Sequence, residues 1–332
     1  MLKCPYCDNT FDAEQMNKAS YEDVASSAQR MTWSSEEQSE LLVYSCNSCG
    51  GEIIADASTG ATICPYCNNP VVMTGQFSGT LRPDFIIPFK LDKQSAIAAL
   101  KKHYLKKPFL PSLFKTQNQL NEIKGIYIPF WHFDATVEAD IEYSAKKTRT
   151  WSDRDYNYTE TETYRVNREG SIQFSNVPVD ASSKMPDNMM NSLEPYFFNE
   201  ATNFNTAYMA GYLADKFDVE KDACNPRADD RMILSTERIF ADTLVGFDSF
   251  KKTKTDFWFS NTAARYTLLP VWFLVTSWKN NNYTFAMNGQ TGKFVGELPI
   301  DKKKVNLALL CFTLGLFGVV AGLFAACMGG AI

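Results

Sequence analysis

The spacing of four cysteines restricts the local fold of this chain more than any other feature. Cys46 and Cys49 form one C-x-x-C pair, and Cys64 and Cys67 form another after an interval of 14 residues. Each C-x-x-C turn brings two sulfurs to one side of a knuckle. A short hairpin between two such turns gathers four sulfurs into a tetrahedron. Zinc favours this donor set, with Zn–S near ~2.3 Å and every position filled by protein. Gly50, Gly51 and Pro65 stand where tight turns need them. A closed four-thiolate site has no position for water, so the expectation is a structural Zn2+ site and not a hydrolytic one. A redox pair is the weaker reading, because neither pair lies in a strand-helix context.

Cys4-Pro5-Tyr6-Cys7 repeats the Cys64-Pro65-Tyr66-Cys67 knuckle and reads as the second half of an incomplete ribbon. Two thiolates alone hold zinc poorly. Cys4 and Cys7 are therefore a candidate ligand pair that is metal-free, shared across a dimer, or a remnant. Cys224, Cys311 and Cys327 stand alone. Met1 leads directly into the first knuckle without an apolar leader, so paired cysteines read as metal ligands in a reducing compartment and the soluble part as cytoplasmic. Zinc ribbons often touch nucleic acid. Residues 1–80, however, hold ten acidic and three basic residues, a net charge of −7. Such a surface repels phosphate, which disfavours nucleic acid as a partner.

The other end of the chain carries a second strong constraint. From Val305 to Ile332 there are 28 residues without a charged side chain, preceded by Lys302-Lys303-Lys304. A stretch of that length spans a bilayer core. The lysines lie on its N-terminal side, so the positive-inside rule places the preceding residues in the cytoplasm. Gly318-x-x-x-Gly322 offers a surface for close helix packing, a weak signal alone.

Hydrophobic residues make up 45% of the 332-residue chain, enough for a real core between these two features. Asp92 caps a helix running to about Lys106, with Ile97, Leu100 and Tyr104 on one face and Pro108 as the stop. Val137, Ala139, Ile141 and Tyr143 alternate with Glu138, Asp140 and Glu142, the period of a half-buried strand. Further strands are expected at 159–166 and 171–174, split at Glu169-Gly170. Helical material is expected from Pro186 to Leu244, its clearest helix starting at Asn225-Pro226. Strands return at 256–259, 266–277, 283–288 and 293–298, the last two flanking a turn at Asn288–Gly292. Tyr127–Phe133 resembles Leu268–Leu274 as a weak internal repeat. Catalytic signals are scarce: no phosphate-binding loop, no G-x-S-x-G and no H-E-x-x-H occur. His103 and His132 read as packed residues. Asp153, Asp155, Glu160 and Glu162 read as alternating charges on a solvated hairpin. The expectation is no enzyme.

Several longer stretches carry a resemblance. Cys46–Gly50 with Cys64–Cys67, Tyr127–Trp131, Phe204–Asp215, Leu269–Trp272 and Tyr283–Lys293 resemble the bacterial membrane-anchored TFIIB-type zinc-ribbon proteins (YdjG-like), a family often labelled primosomal or replication-restart helicase. Its members often begin with a complete extra ribbon, and this chain starts inside it. The helicase label lacks support, because the ATP-binding loop is missing. The resemblance implies a place beside phage-shock and SPFH (flotillin-like) proteins in envelope stress.

The sequence thus predicts an α+β fold with an antiparallel-sheet body, a helical insert and one C-terminal transmembrane helix. Its expected units are an incomplete knuckle (1–16), a polar linker or short helix (17–43), a zinc ribbon (44–75), the body (76–300) with two related β modules, and an anchor (301–332). The expected function is a membrane-tethered adaptor or scaffold on the cytoplasmic face of the membrane, with protein partners and a homo-oligomer compatible with it. The alternative is a nucleic-acid-binding accessory factor of replication restart or transcription.

Overall fold

Three strands of unusual length carry the fold: β7 (Lys124–Ser152), β8 (Asn157–Asp180) and β11 (Ser249–Trp278). In the computed structural model, which describes residues 2–3, 10–11, 33–56, 59, 63–77, 81–105, 107–111, 122–279, 281–296 and 298–329, β7 lies between the other two, antiparallel to both. Its alternation is the cause. Val137, Ala139, Ile141 and Tyr143 are buried, while Glu138, Asp140 and Glu142 lie on the other face and are less buried.

Shorter strands complete one 11-stranded sheet: β3 (Leu41–Ser45), β4 (Glu52–Asp56), β5 (Val72–Gln76), β6 (Phe85–Ile86), β9 (Thr202–Asn203), β10 (Leu213–Asp215), β12 (Asn281–Asn288) and β13 (Phe294–Gly296). Its main path runs β13-β12-β11-β7-β10-β4-β3-β5. β1 (Leu2–Lys3) and β2 (Thr10–Phe11) form a separate antiparallel pair. The cysteine-bearing segment joins the main sheet through β10, which pairs antiparallel with β4 and parallel with β7.

The central sheet is buried on both faces. One face packs Tyr127, Trp131, Trp272 and Leu274 against α2 (Lys93–Leu105) and the first half of α4 (Lys221–Asp242). The other packs Ile126, Ile128, Leu269 and Phe273 against the cysteine knuckles and α3 (Asp187–Leu193). The Asp92 cap is present, its Oδ1 accepting from the Ser95 N–H at 2.7 Å. α1 (Ser35–Ser39) precedes β3 and starts at a Ser34–Glu37 capping box.

Four expectations need correction. The stretch from Pro186 to Leu244, expected to be helical, holds β9 and β10 between α3 and α4, because Leu213–Asp215 pairs with β4 and β7. β8 is unbroken, because Gly170 sits opposite Ala139 as a flat position beneath the Phe240 ring, not as a turn. β11 is likewise one strand, with register irregularities at Lys252/Lys254 and Ser260/Ala263 where the pattern looked interrupted. α4 begins at Lys221, so Pro226 is inside the helix rather than at its first position. Pro226 is the sixth residue of α4, past the N–H groups that lack intrahelical partners, so it removes one i→i−4 bond near the start of the helix.

Beyond the core, β8, β7 and β11 continue as a three-stranded arm. α4 crosses it, with Phe240 and Leu244 on Ala139, Ile141 and Tyr143. The β7–β8 hairpin extends further, and residues 157–165 are exposed on both faces. α5 (Lys302–Gly329) closes the described chain.

Candidate metal centre

Backbone geometry makes the two knuckles near copies. In the first, the Gly50 N–H donates to Cys46 O at 2.8 Å and the Cys46 N–H to Gly51 O at 2.9 Å. In the second, the Asn68 N–H donates to Cys64 O at 3.1 Å and the Cys64 N–H to Asn69 O at 2.8 Å. Each turn needs a left-handed residue four places after its first cysteine. Gly50 has φ +68° and Asn68 φ +59°, and these residue types tolerate that region best.

The turns face each other. Cys46 Sγ lies 3.5 Å from Cys67 Sγ and Cys49 Sγ 3.6 Å from Cys64 Sγ. All four sulfurs fall within 4.8 Å of one another. A tetrahedral thiolate site with metal–sulfur bonds of ~2.3 Å has edges of about 3.8 Å, so the donor set fits one four-coordinate metal ion. Cys46 and Cys64 are 1% and 0% exposed, and they pack with Ile53, Ile87 and Phe273.

The surroundings bind the knuckles to the sheet. Asn68 Nδ2 donates to Val275 O at 2.8 Å, tying the second knuckle to β11. Tyr66 packs edge-on against Phe273. Lys124 Nζ donates to Ile63 O at 2.7 Å and Lys184 Nζ to Cys49 O at 3.3 Å. Two ammonium groups thus offset the negative charge that four thiolates bring. As thiols alone, Cys46, Cys49 and Cys64 are unequal. Burial pushes Cys46 up, but backbone N–H groups of Cys49 and Ser48 outweigh it and bring it to about 7. Burial raises Cys49, and raises Cys64 further.

Behind Tyr66 lies Asp215, 2% exposed, which accepts from Ser182 Oγ at 2.5 Å. Burial raises its carboxyl to about 7, against hydrogen bonds that lower it. Asp215 also borders a polar cleft of about 320 Å³ with Gly50, Glu52, Lys184, Lys216 and Asp218. Lys124, Lys184 and Asp215 carried no signal in the sequence, because they come from strands and loops distant in the chain.

The other candidates fall elsewhere. Cys4 and Cys7 lie outside the described residues. Cys224 is buried on α4, its Sγ 3.7 Å from Asp180 O, and burial raises it to about 11. His132 is buried between β-strands, lowered to about 3 by burial and by Arg265 and Arg231. His103 packs on Phe294. Asp153 closes the β7–β8 turn by accepting from the Asp155 and Tyr156 N–H groups, while Asp155, Glu160 and Glu162 are exposed. The structure gathers none of these groups into a catalytic set among the described residues.

The C-terminal helix makes a contrast with the packed knuckles. Lys302–Val320 has a mean hydropathy of 1.6, and none of it is buried. It is long and apolar enough to cross a membrane. Its root is fixed to the body: the Asp301 N–H donates to Phe109 O, and Lys304 Nζ to Leu110 O, both at 2.8 Å. Asp301 Oδ1 caps the helix by accepting from the Lys303 N–H at 3.0 Å.

These features define a mixed α+β protein in which a four-cysteine cluster is built onto a large sheet, with one apolar helix at the end of the described chain. The chain belongs to the YdjG family. It is 33% identical over 314 residues to the uncharacterized protein YdjG of Bacillus subtilis (strain 168), a match covering 80% of this chain and 92% of that protein. No protein-family model matches the chain, and no solved structure does.

Proposed function

We propose that this protein is a non-enzymatic, membrane-tethered adaptor whose zinc site is structural. Zn2+ is the ion that Cys46, Cys49, Cys64 and Cys67 would hold, because four thiolates in a tetrahedron suit a soft ion without redox chemistry. The reading rests on one observation above all. The apolar stretch Lys302–Val320 is unburied, yet its root is bonded to the body at Phe109 and Leu110. A helix that packed into its own core would be covered. Its exposure supports a helix that holds the sheet beside a bilayer, with lysines that would suit anionic head groups on the cytoplasmic side. The place beside phage-shock and SPFH-type proteins that the resemblance to YdjG-like zinc-ribbon proteins implies makes those proteins the partners to test.

The test uses full-length protein expressed in bacteria. It is expected in the membrane fraction, resistant to alkaline wash, with one zinc per chain and no DNA affinity at any salt concentration. A soluble monomer would remove the tether. Salt-dependent binding to DNA would favour an accessory factor of replication or transcription instead.

A further inference from the structure

The arm has two open edges, and they are protected unequally. Among the described residues β8 pairs only with β7, and β11 has no second neighbour along 249–264. An unpaired edge offers N–H and C=O groups to any extended chain, and proteins block such edges with lysines, prolines and bulges. β11 carries Lys251, Lys252 and Lys254 and both of its register irregularities there. From Asn157 to Asn176, β8 has no lysine and no proline. Its register with β7 is unbroken from Asn157 to Phe174.

We propose that the β8 edge pairs with the β8 edge of a second copy of this chain, antiparallel about a two-fold axis at Tyr164. Two three-stranded arms then become one six-stranded sheet. The sequence is self-complementary in that register. Glu160 falls opposite Arg168 of the second copy, and symmetry makes the pair twice. Tyr158 falls opposite Gly170, a large ring beside a position without a side chain, and Thr161 opposite Asn167. Both members of each pair lie on the same face, as the pleat requires. A slip of one residue would break that match. A slip of two residues one way keeps a Glu162–Arg168 pair but sets Arg165 against Arg165 at the axis. The other way, Glu160 meets Val166 and no opposite charges meet.

The helices leave room for this pairing. α4 covers its own β8 near Val166, Arg168 and Ile172, with Arg168 Nε donating to Thr243 Oγ1 at 2.7 Å. The stretch of the second copy facing those residues is 156–162, exposed on both sides. The two α4 helices therefore sit on a diagonal, not on each other. This inference is independent of the adaptor reading, since a soluble protein with this arm would pair the same way.

The experiment uses the full-length chain in lipid nanodiscs or micelles, in a Cys311→Ser background. Residues opposite each other across antiparallel strands have Cα atoms about 4.5–5.5 Å apart, within disulfide reach. Tyr164→Cys is expected to give a covalent dimer under mild oxidation, and Thr255→Cys on the β11 edge is not. Glu160→Arg should lower the dimer fraction at least tenfold at a fixed concentration, with metal content unchanged. Glu160→Arg combined with Arg168→Glu should restore it. A monomeric mass for the parent chain, crosslinking through Thr255→Cys in place of Tyr164→Cys, or an undiminished dimer in Glu160→Arg would each overturn the proposal.

Discussion

Asn68 and Gly50 hold the same left-handed turn, but only Asn68 also reaches across to the body, through its bond to Val275 O. Asn68→Ala should therefore cost about 2 kcal/mol, from φ strain and from a carbonyl left without its donor. Asn68→Gly should recover the strain and not the bond. Thermal unfolding of the two variants separates these contributions. Asp215 gives a pH-dependent counterpart. Burial raises its folded carboxyl to about 7 from an ordinary value of 3.8, so the folded chain keeps a proton that the unfolded chain releases. Its contribution to stability is fully present below about pH 4 and is lost as pH rises to about 7. Asp215→Asn should accordingly gain stability over the parent between pH 5.5 and 8, with the gap widest at the alkaline end. Melting curves across that range check it, and a gap that shrinks with rising pH would refute it. The four cysteines were legible in the sequence because a knuckle is local: spacing alone sets the turn. Tyr66 as a packing residue, Lys124, Lys184 and Asp215 were not, because tertiary pairing between distant strands brings them to the site.

The long strands show where local pattern stops being informative. Alternation identified β7 around Val137–Tyr143, where one face is buried. It faded beyond Ala145, where both faces meet solvent while the ladder continues. In β8, Gly170 looked like a break because glycine usually marks a turn, whereas here Phe240 of α4 lies over it. The weak repeat gains geometry of its own. Ile128 of β7 pairs with Leu269 of β11, Pro129 with Leu268, and Tyr127 with Pro270, so the two repeated segments pair about a local two-fold. Each presents a tryptophan to the same core, Trp131 donating to Val219 O at 3.0 Å and Trp272 to Leu91 O at 2.9 Å. α4 holds the arm through a small cluster. Phe240→Ala should remove about 3 kcal/mol of local stability, the usual range for a buried aromatic. Amide exchange of Ala139–Tyr143 and Val166–Ile172 should accelerate, while β3 and β4 keep their protection. Equal loss everywhere would mean that the arm and core unfold as one unit.

At the scale of the molecule, metal centre and apolar helix differ in how they join the sheet. The knuckles share a buried cluster with Ile126, Leu269 and Phe273, so on the proposed zinc reading loss of the ion should propagate into the core. A Cys46→Ser/Cys64→Ser double variant is expected to lose zinc and cooperative unfolding together. Among the described side chains the helix is joined to the body only at its root. α5 has 28 residues and, at a rise of ~1.5 Å per residue, extends about 42 Å, more than a hydrocarbon core of about 30 Å. On the proposed membrane-tethered reading, the surplus would leave Lys302 and Lys303 at head-group level, while Lys304 is held by Leu110 O. Ending the chain after Pro299 removes two hydrogen bonds to the body and no buried apolar surface from Lys302–Val320. Two such bonds are worth about 2 kcal/mol in all, a shift of roughly 2–4 °C for a body of about 300 residues. The shortened chain should be soluble, bind one zinc per chain, and melt within that interval of the full-length protein in micelles. Aggregation of the shortened chain, or a fall in melting temperature well beyond the interval, would show that α5 packs against the body and that the sheet is not a self-standing unit carried on a tether.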